Sequence, residues 1–274
     1  MTNEELAQAA QSGDRAVLEE LVTQIQKPIY NLAVRMLWHP EDAEDATQEI
    51  LVKVITHLSD FRGDSLLMTW AWRVATNHLL NTRKRRAEQH TLSFDEFGDD
   101  LDSGLLDEAL TTPSNVDENL LVEEAKIGCM QGMLLCLNRE ERAAYVLGEI
   151  FDVTDKEGAE IFEVSPAAYR KRLSRAREAV RNFMQANCGL ANPSNPCRCQ
   201  RRVPIAIEKG RLDPDRLLFA QKGDDPAVLR GITEMDELER ASALFRTHPA
   251  YQAPDAFRRD LSKLLDSEKV SFLN

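Results

Sequence analysis

Four polar residues in the segment 61–86 have side-chain types and a spacing that suit the binding of nucleic acid. They are Arg73, Asn77, Asn81 and Lys84, separated by four, four and three positions, and this spacing places them on one face of a helix. Trp70 and Trp72 precede them, and residues 83–86 are all basic. Aromatic and cationic side chains together hold unstacked single-stranded bases. The segment therefore predicts a helix that binds single-stranded nucleic acid; the alternative is a core helix with a solvated basic end, because tryptophan is often buried.

The elements that position these residues are predicted to be helices, because apolar residues recur at three- and four-residue steps and no segment alternates as a strand would. Ser65 is expected to cap the helix that carries Arg73, and Pro28 to bend or divide an earlier one. We predict an all-α protein with two small domains. The predicted parts are a helical domain at 1–87, an acidic linker at 88–119, a second helical domain at 120–187 and a C-terminal extension of unknown role at 188–274.

A second basic cluster follows a tight turn at residues 163–164. Thr154 is predicted to cap the helix before this turn, and Ser165 the helix after it, with Pro166 in the first helical position. The residues predicted to face outward are Arg170, Lys171, Arg172, Ser174, Arg175 and Arg177. This pattern is typical of a helix-turn-helix whose second helix enters a major groove. The alternative is an ordinary αα-hairpin with a solvated face.

Residues 40–58 form a third pattern, an amphipathic helix with an acidic face. Its apolar stripe is Ala43, Ala46, Ile50, Leu51, Val54 and Leu58. Its polar residues are Asp42, Asp45, Gln48 and Glu49, which we expect to be exposed and to suit a basic partner. Acidic amphipathic helices are common, so the pattern is specific only together with the other two.

The three segments, in this order, resemble the sigma-70 family of RNA polymerase sigma factors, extracytoplasmic-function (ECF) group. The family's polymerase-binding helix carries an Asp-Ala-x-Asp-x-x-Gln-Glu run, which Asp42, Ala43, Asp45, Gln48 and Glu49 match. The resemblance covers roughly residues 1–186. It implies a transcription initiation factor that is not an enzyme and requires no cofactor. The implied partners are core RNA polymerase and promoter DNA, with an anti-sigma factor as a further candidate.

The resemblance also implies roles for individual residues. Asp42, Asp45, Gln48 and Glu49 would bind core polymerase. The −10 element, as single strand, would contact Phe61, Arg62, Trp70, Arg73, Asn77, Asn81 and Lys84, with Asn77 at a flipped base and loop 61–65 beside it. The −35 element, as duplex, would contact Arg170, Lys171, Arg172, Ser174 and Arg175. Gly63 would allow the turn in the loop.

The net charge of −12 and the pI of about 5.0 argue against indiscriminate binding to nucleic acid. Basic residues are nevertheless clustered in the segments described above, and acids concentrate at residues 95–108. No apolar run approaches the length of a membrane span, and Glu4 and Glu5 stand where a signal peptide would carry cations. We therefore expect a cytoplasmic protein without membrane association, whose cysteines are reduced unless they bind metal or sense oxidants.

Three cysteines of the extension, Cys188, Cys197 and Cys199, lie within a dozen residues. Structural zinc sites use four ligands, usually in pairs two to four residues apart, so this set is off-pattern and one ligand short. Zinc could bind with His248 or Cys136 as the fourth ligand. A disulfide under oxidative stress is an equal alternative. The remaining alternative is that all three are small buried side chains that fix a proline-rich turn.

Two other classes of protein remain open. A stand-alone helix-turn-helix regulator would bind its operator without polymerase, usually as a dimer, but it leaves the acidic helix and the tryptophan-rich helix without a role. A thiol or metal enzyme built on the cysteines of the extension is the second. It lacks a neighbouring histidine, since His248 is the only one in the extension.

Overall fold

The structure, a computed structural model, describes residues 2–12, 14–82, 93–103, 117–220, 243–246 and 250–251. Its helices are α1 (Asn3–Gln11), α2 (Arg15–Leu37), α3 (Pro40–Thr56), α4 (Leu67–Asn81), α5 (Phe94–Ser103), α6 (Glu118–Cys136), α7 (Arg139–Tyr145), α8 (Asp155–Phe162), α9 (Pro166–Asn187) and α10 (Cys199–Glu208). Within these ranges no strand occurs, which confirms the predicted all-α class. No described helix combines the length and apolar character needed to cross a bilayer.

The chain divides into two compact units. One comprises Met1–Ala87, Val153–Arg170 and Ala250–Asn274, and the other Glu88–Asp152 and Lys171–Pro249. Residues 120–187 and residues 188–274 each contribute to both units.

Helix α2 is central to the first unit, where it packs against α1, α3 and α4. Its buried residues follow the helical period through Leu18, Leu21, Ile25 and Ile29. Of the two effects expected of Pro28, a bend or a division, the division is wrong, because Pro28 lies inside one continuous helix. A proline removes one backbone hydrogen bond, and packing on three helices outweighs that loss. Helix α8 also belongs to this unit and packs against α4.

Helix α6 is central to the second unit, where α5, α7 and α10 pack on it. Arg142 of α7 is buried, and its guanidinium donates hydrogen bonds to the carbonyl oxygens of Leu134, Leu135 and Leu137. The end of a helix leaves carbonyls short of backbone donors. Leu134 also accepts the Leu137 N–H, and Arg142 adds a donor to all three carbonyls. Helix α7 continues into a π-helical turn at Val146–Ile150.

Part of the predicted acidic linker is a helix. In α5 the apolar residues Phe97 and Leu101 are buried, and the Phe97 ring stacks on Phe183 with centroids 5.4 Å apart. Asp100 forms ion pairs with Lys209, with Arg211 and with Arg202. The helical spacing of Phe94, Phe97 and Leu101 indicates this helix, but the acids and glycines around these residues obscured the pattern.

The first part of the C-terminal extension is also folded onto α6. Leu121 and Ala125 of α6 form a buried cluster with Val203 and Leu212. Between these two residues of α6, the buried Glu124 carboxylate accepts hydrogen bonds from three consecutive backbone N–H groups, those of residues 218–220, at 2.9, 3.0 and 2.7 Å. Residues 188–220 are therefore an integral layer of the second unit.

Candidate nucleic-acid interfaces

A groove of about 530 Å³ runs along α4 in the first unit. Four residues predicted from the sequence line it, namely Trp70, Arg73, Asn77 and Asn81. The Asn77 and Asn81 side chains are exposed, and the Asn81 amide donates a hydrogen bond to the Asn77 backbone oxygen at 2.8 Å. The structure thus brings together the predicted polar face, except for Lys84, which lies outside the described residues.

The aromatic residues of this site are not exposed platforms. Trp70 is 5% exposed and Phe61 is 6% exposed, and their ring centroids lie 5.7 Å apart at an angle of 53°. Trp70 forms part of the groove wall while most of its ring packs in the core. A base entering the groove would therefore meet the edge of an aromatic pair that is already fixed in place, and ordering that pair would cost no side-chain entropy on binding.

The loop before α4 has the turn that its glycine predicts. Gly63 has φ 77°, in the left-handed region that only glycine adopts at low cost, and a Cβ there would meet no atom within 4 Å. Arg62 beside it is exposed. Ser65, however, does not cap α4: the N-cap is Leu66, without a side-chain hydrogen bond. The prediction was wrong because α4 starts one residue too late for Ser65 to occupy the N-cap position.

Five polar residues of the groove were missed from the sequence, and two of them, His78 and Thr82, belong to α4 and its C-terminal end. The other three come from outside α4. Lys53 and His57 come from the end of α3 and Asp60 from the turn that follows. The Lys53 Nζ atom lies 2.9 Å from Nδ1 of the buried His78 in α4, so this pair joins the two helices at the groove. The residues of α3 that the sequence singled out lie on another face of that helix, and no spacing in the sequence connects Lys53 with α4.

The predicted polymerase-binding face of α3 is partly as expected. Asp45, Gln48 and Glu49 are exposed. Asp42 is not, since it is 4% exposed, and its Oδ2 atom has no hydrogen-bond partner among the described residues. The first turn of a helix favours an acid electrostatically, which helps to retain a carboxylate there. The expectation of an exposed Asp42 is therefore wrong, and the exposed surface of α3 contains the other three residues.

The helix-turn-helix has its predicted caps. Thr154 and Glu157 form a reciprocal capping box at the start of α8, and the Ser165 hydroxyl accepts the Ala168 N–H at the start of α9. Between them Glu163 adopts φ 52° and ends α8. Within the first unit the Tyr169 ring lies so close to Gly158 that an added Cβ would be 2.2 Å from it. Gly158, which weakens helix propensity, is thus required by packing.

The basic face of α9 separates into exposed and paired side chains. Lys171, Ser174 and Arg175 are exposed. Arg170 is exposed too and lies 3.7 Å from Asp155. Arg172 differs, because its side chain is only 21% exposed and forms an ion pair with Glu140 at 2.6 Å. The helical period explains this, since Arg172 stands on the flank of the buried stripe and Lys171 and Arg175 stand further from it.

The cysteines of the extension converge on one place in the second unit. Cys188, Cys197 and Cys199 line a small cavity together with Cys129 of α6. Cys136 is elsewhere on α6, where its thiol donates a hydrogen bond to the Gly132 oxygen, and His248 lies outside the described residues. Cys129 was missed because nothing in its local sequence connects it to a segment about sixty residues later.

An all-α chain with a groove on α4 and a basic face on α9 has the features of a helical DNA-binding protein. Comparison with known families and proteins narrows it. The profile of sigma-70 region 2 matches residues 21–89, and that of sigma-70 region 4 matches residues 127–180. The first match contains the groove and the second contains the helix-turn-helix.

Two characterised relatives match most of the same stretch. The RNA polymerase sigma-H factor of Pseudomonas aeruginosa is 28% identical over 183 residues, which are 67% of this chain and 94% of the relative. The ECF RNA polymerase sigma-E factor of Escherichia coli K12 is 29% identical over 188 residues, 68% of this chain and 95% of the relative. A solved structure of the sigma factor RpoE with the anti-sigma factor NepR from Bartonella quintana is similar with a TM-score of 0.40 and 17% identity, over 61% of this chain and 95% of that one. The chain thus contains sigma-70 regions 2 and 4 and is similar to ECF sigma factors.

Proposed function

We propose that this protein is an ECF sigma factor, which binds core RNA polymerase and directs it to specific promoters. The observation that carries the proposal is the occurrence, in one chain, of a region 2 match containing the α4 groove and a region 4 match containing the basic face of α9. A stand-alone regulator would need only the second. The reaction chemistry belongs to the polymerase, and this chain makes and breaks no covalent bond.

In this proposal the α4 groove receives the −10 element as single strand. Asn77 and Asn81 are the exposed amides of the groove and can hydrogen-bond to a base edge. Arg73 and Lys53 supply positive charge for the phosphates. Extruding a base costs a few kcal/mol, which stacking and the contacts of the polymerase must offset.

The duplex −35 element would meet the exposed side of α9. Arginine and lysine recognise guanine in the major groove through its O6 and N7 acceptors, and Lys171 and Arg175 are the exposed cations furthest from the buried stripe of this helix. Arg170, Arg172 and Ser174 would contribute contacts to phosphate at the edges of the same surface. The exposed residues Asp45, Gln48 and Glu49 of α3 would meet a basic helix of the core enzyme.

The proposal places the protein in the cytoplasm, where core polymerase is found, with an anti-sigma factor as a candidate third partner. Its negative total charge suits a factor that binds DNA only when docked on polymerase. Run-off transcription with purified core polymerase tests this directly. We expect promoter-specific transcripts only when the protein and core polymerase are both present. Specific promoter binding by the protein alone, with no effect on polymerase, would instead identify a stand-alone regulator.

A further inference from the structure

Four thiols from three separate parts of the chain line one cavity in the second unit. Cys129 projects from α6, Cys188 directly follows α9, and Cys197 and Cys199 stand before and at the start of α10. All four are free and partly buried. The loop that carries Cys197 therefore folds back so that the end of one helix, the start of another and the side of a third meet at their cysteines.

The cavity is small and otherwise largely apolar. Its volume is about 30 Å³, and its wall is completed by residues such as Leu101, Met133 and Phe183. This space suits a single ion with thiolate ligands at about 2.3 Å and is far too small for an iron–sulfur cluster. In the described part of the chain no three cysteine, histidine or acidic side chains are yet close enough together to hold an ion. Binding of an ion would therefore have to draw the thiols inward.

The loop between Cys188 and Cys199 is held by polar side chains that bind its own backbone. The Asn195 amide donates to the oxygens of Gln185 and Cys188 at 2.9 and 3.3 Å. The Arg198 guanidinium donates to the oxygens of Pro193, Asn195 and Cys197. Such a loop fixes the spacing of its cysteines without a disulfide.

Gly189 adds a steric requirement to this loop. A Cβ at this position would lie 2.1 Å from the Cys197 oxygen and 1.9 Å from the Arg198 guanidinium. The glycine is therefore needed where two of the four cysteines approach each other.

Charge near the cavity also suits a metal thiolate. Four thiolates around a divalent ion leave a net charge of −2, and the buried Arg202 lines the same cavity. Cysteines bind a divalent ion as thiolates. A bound cation would displace their protons.

We propose that Cys129, Cys188, Cys197 and Cys199 form a four-thiolate site for one Zn²⁺ ion, which ties the C-terminal extension to α6 and α9. Each thiol loses its proton to solvent as its sulfur binds the ion, and no redox step is involved. The inference does not depend on the proposed function, and its test uses no transcription assay.

Metal analysis of the full-length protein, purified under reducing conditions, tests the site. We expect about one Zn²⁺ per chain, as a closed four-ligand site requires. Cys129→Ser should lower the zinc content or affinity by more than about tenfold, since even changes beyond the ligands cost that much. Cys136→Ser is the matched control, because Cys136 lies on the same helix outside the cavity, and it should retain full zinc.

A second measurement keeps the test decisive if the Cys129 variant folds poorly. Wild-type protein reconstituted with Co²⁺ should show the intense visible bands of tetrahedral cobalt and the near-ultraviolet bands of thiolate-to-cobalt charge transfer. Wild-type protein without zinc, with iron in its place, or with octahedral cobalt spectra would overturn the proposal. So would a disulfide between any two of the four cysteines in the protein purified under reducing conditions, or equal zinc loss in the Cys136 control.

Discussion

The Arg172 guanidinium lies 2.6 Å from the Glu140 carboxylate within the second unit. An arginine that the sequence places among the DNA contacts is thus already paired inside the protein. To reach a base edge it would have to give up that ion pair. The exposed Arg175 lies further around α9 from the buried stripe than Arg172 does, so it can reach a base edge from its present position.

This relationship leads to a prediction on duplex recognition. Arg175→Ala should weaken transcription from promoters that depend on their −35 sequence by about 1–3 kcal/mol, the cost of one arginine contact with a base. Arg172→Ala should have a smaller effect on sequence preference. Run-off transcription on a series of −35 variants measures both. Equal loss on every −35 variant with Arg175→Ala, together with a weaker salt dependence, would show that Arg175 binds phosphate instead.

The groove on α4 leads to a prediction on promoter opening. Asn77→Ala removes an exposed amide without touching the core, so polymerase binding should be unchanged. Formation of the open complex should fall by about 1–3 kcal/mol, the value of one specific base contact. Permanganate footprinting of the −10 region measures opening. Gln24→Ala, an exposed amide on α2 outside the groove, should open promoters normally; normal opening by Asn77→Ala as well would exclude Asn77 from the base-binding site.

The contact between Gly158 and Tyr169 predicts a strong effect on stability. Gly158→Ala places a Cβ 2.2 Å from the ring, and overpacking of this kind costs about 1–3 kcal/mol or more, although alanine favours a helix. Gly98→Ala is the matched control, since its Cβ would lie 3.5 Å from the nearest atom, and helix propensity predicts a gain of up to about 1 kcal/mol. Urea denaturation compares the two. A Gly158→Ala variant as stable as the wild type would mean that Tyr169 can move aside without cost.

These cases show which parts of the molecule can be predicted from its sequence. The helices, the caps of α8 and α9 and the polar face of α4 depend on periodicity and on neighbouring residues, so they are readable locally. Asp42, Arg172 and Cys129 are different. Their burial, pairing or grouping depends on partners about sixty residues away or on another helix, and no spacing in the sequence encodes such a contact.

The ion pairs of Asp100 predict a pH dependence. Burial alone would raise the pKa of Asp100, but hydrogen bonds from Arg211 and Lys209 outweigh it and lower the pKa from 3.8 to about 2. A depressed pKa stabilises the folded state above the ordinary value, and this stabilisation is lost as the pH falls from about 4 to about 2. Because solvent screens these partly exposed groups, the contribution is on the order of 1 kcal/mol.

Comparison with Asp100→Asn isolates this contribution. Above pH 4 the variant should be the less stable protein, and the difference between the two should narrow as the pH falls towards 2. Thermal unfolding at a series of pH values measures the difference. A difference that stays constant through this range would mean that the carboxylate charge of Asp100 does not stabilise the unit.

The Glu124 carboxylate binds residues 218–220 only through their backbone N–H groups. Every amino acid except proline offers the same donor. Leu218 is exposed, so substitutions there can accumulate in related proteins while the attachment persists, provided that Glu124 is kept. Phe219 and Ala220 are buried, so their replacements must also fit the core. A search for this attachment in other chains should look for the acid in the helix, for the absence of proline and for apolar residues at the second and third positions of the attached segment.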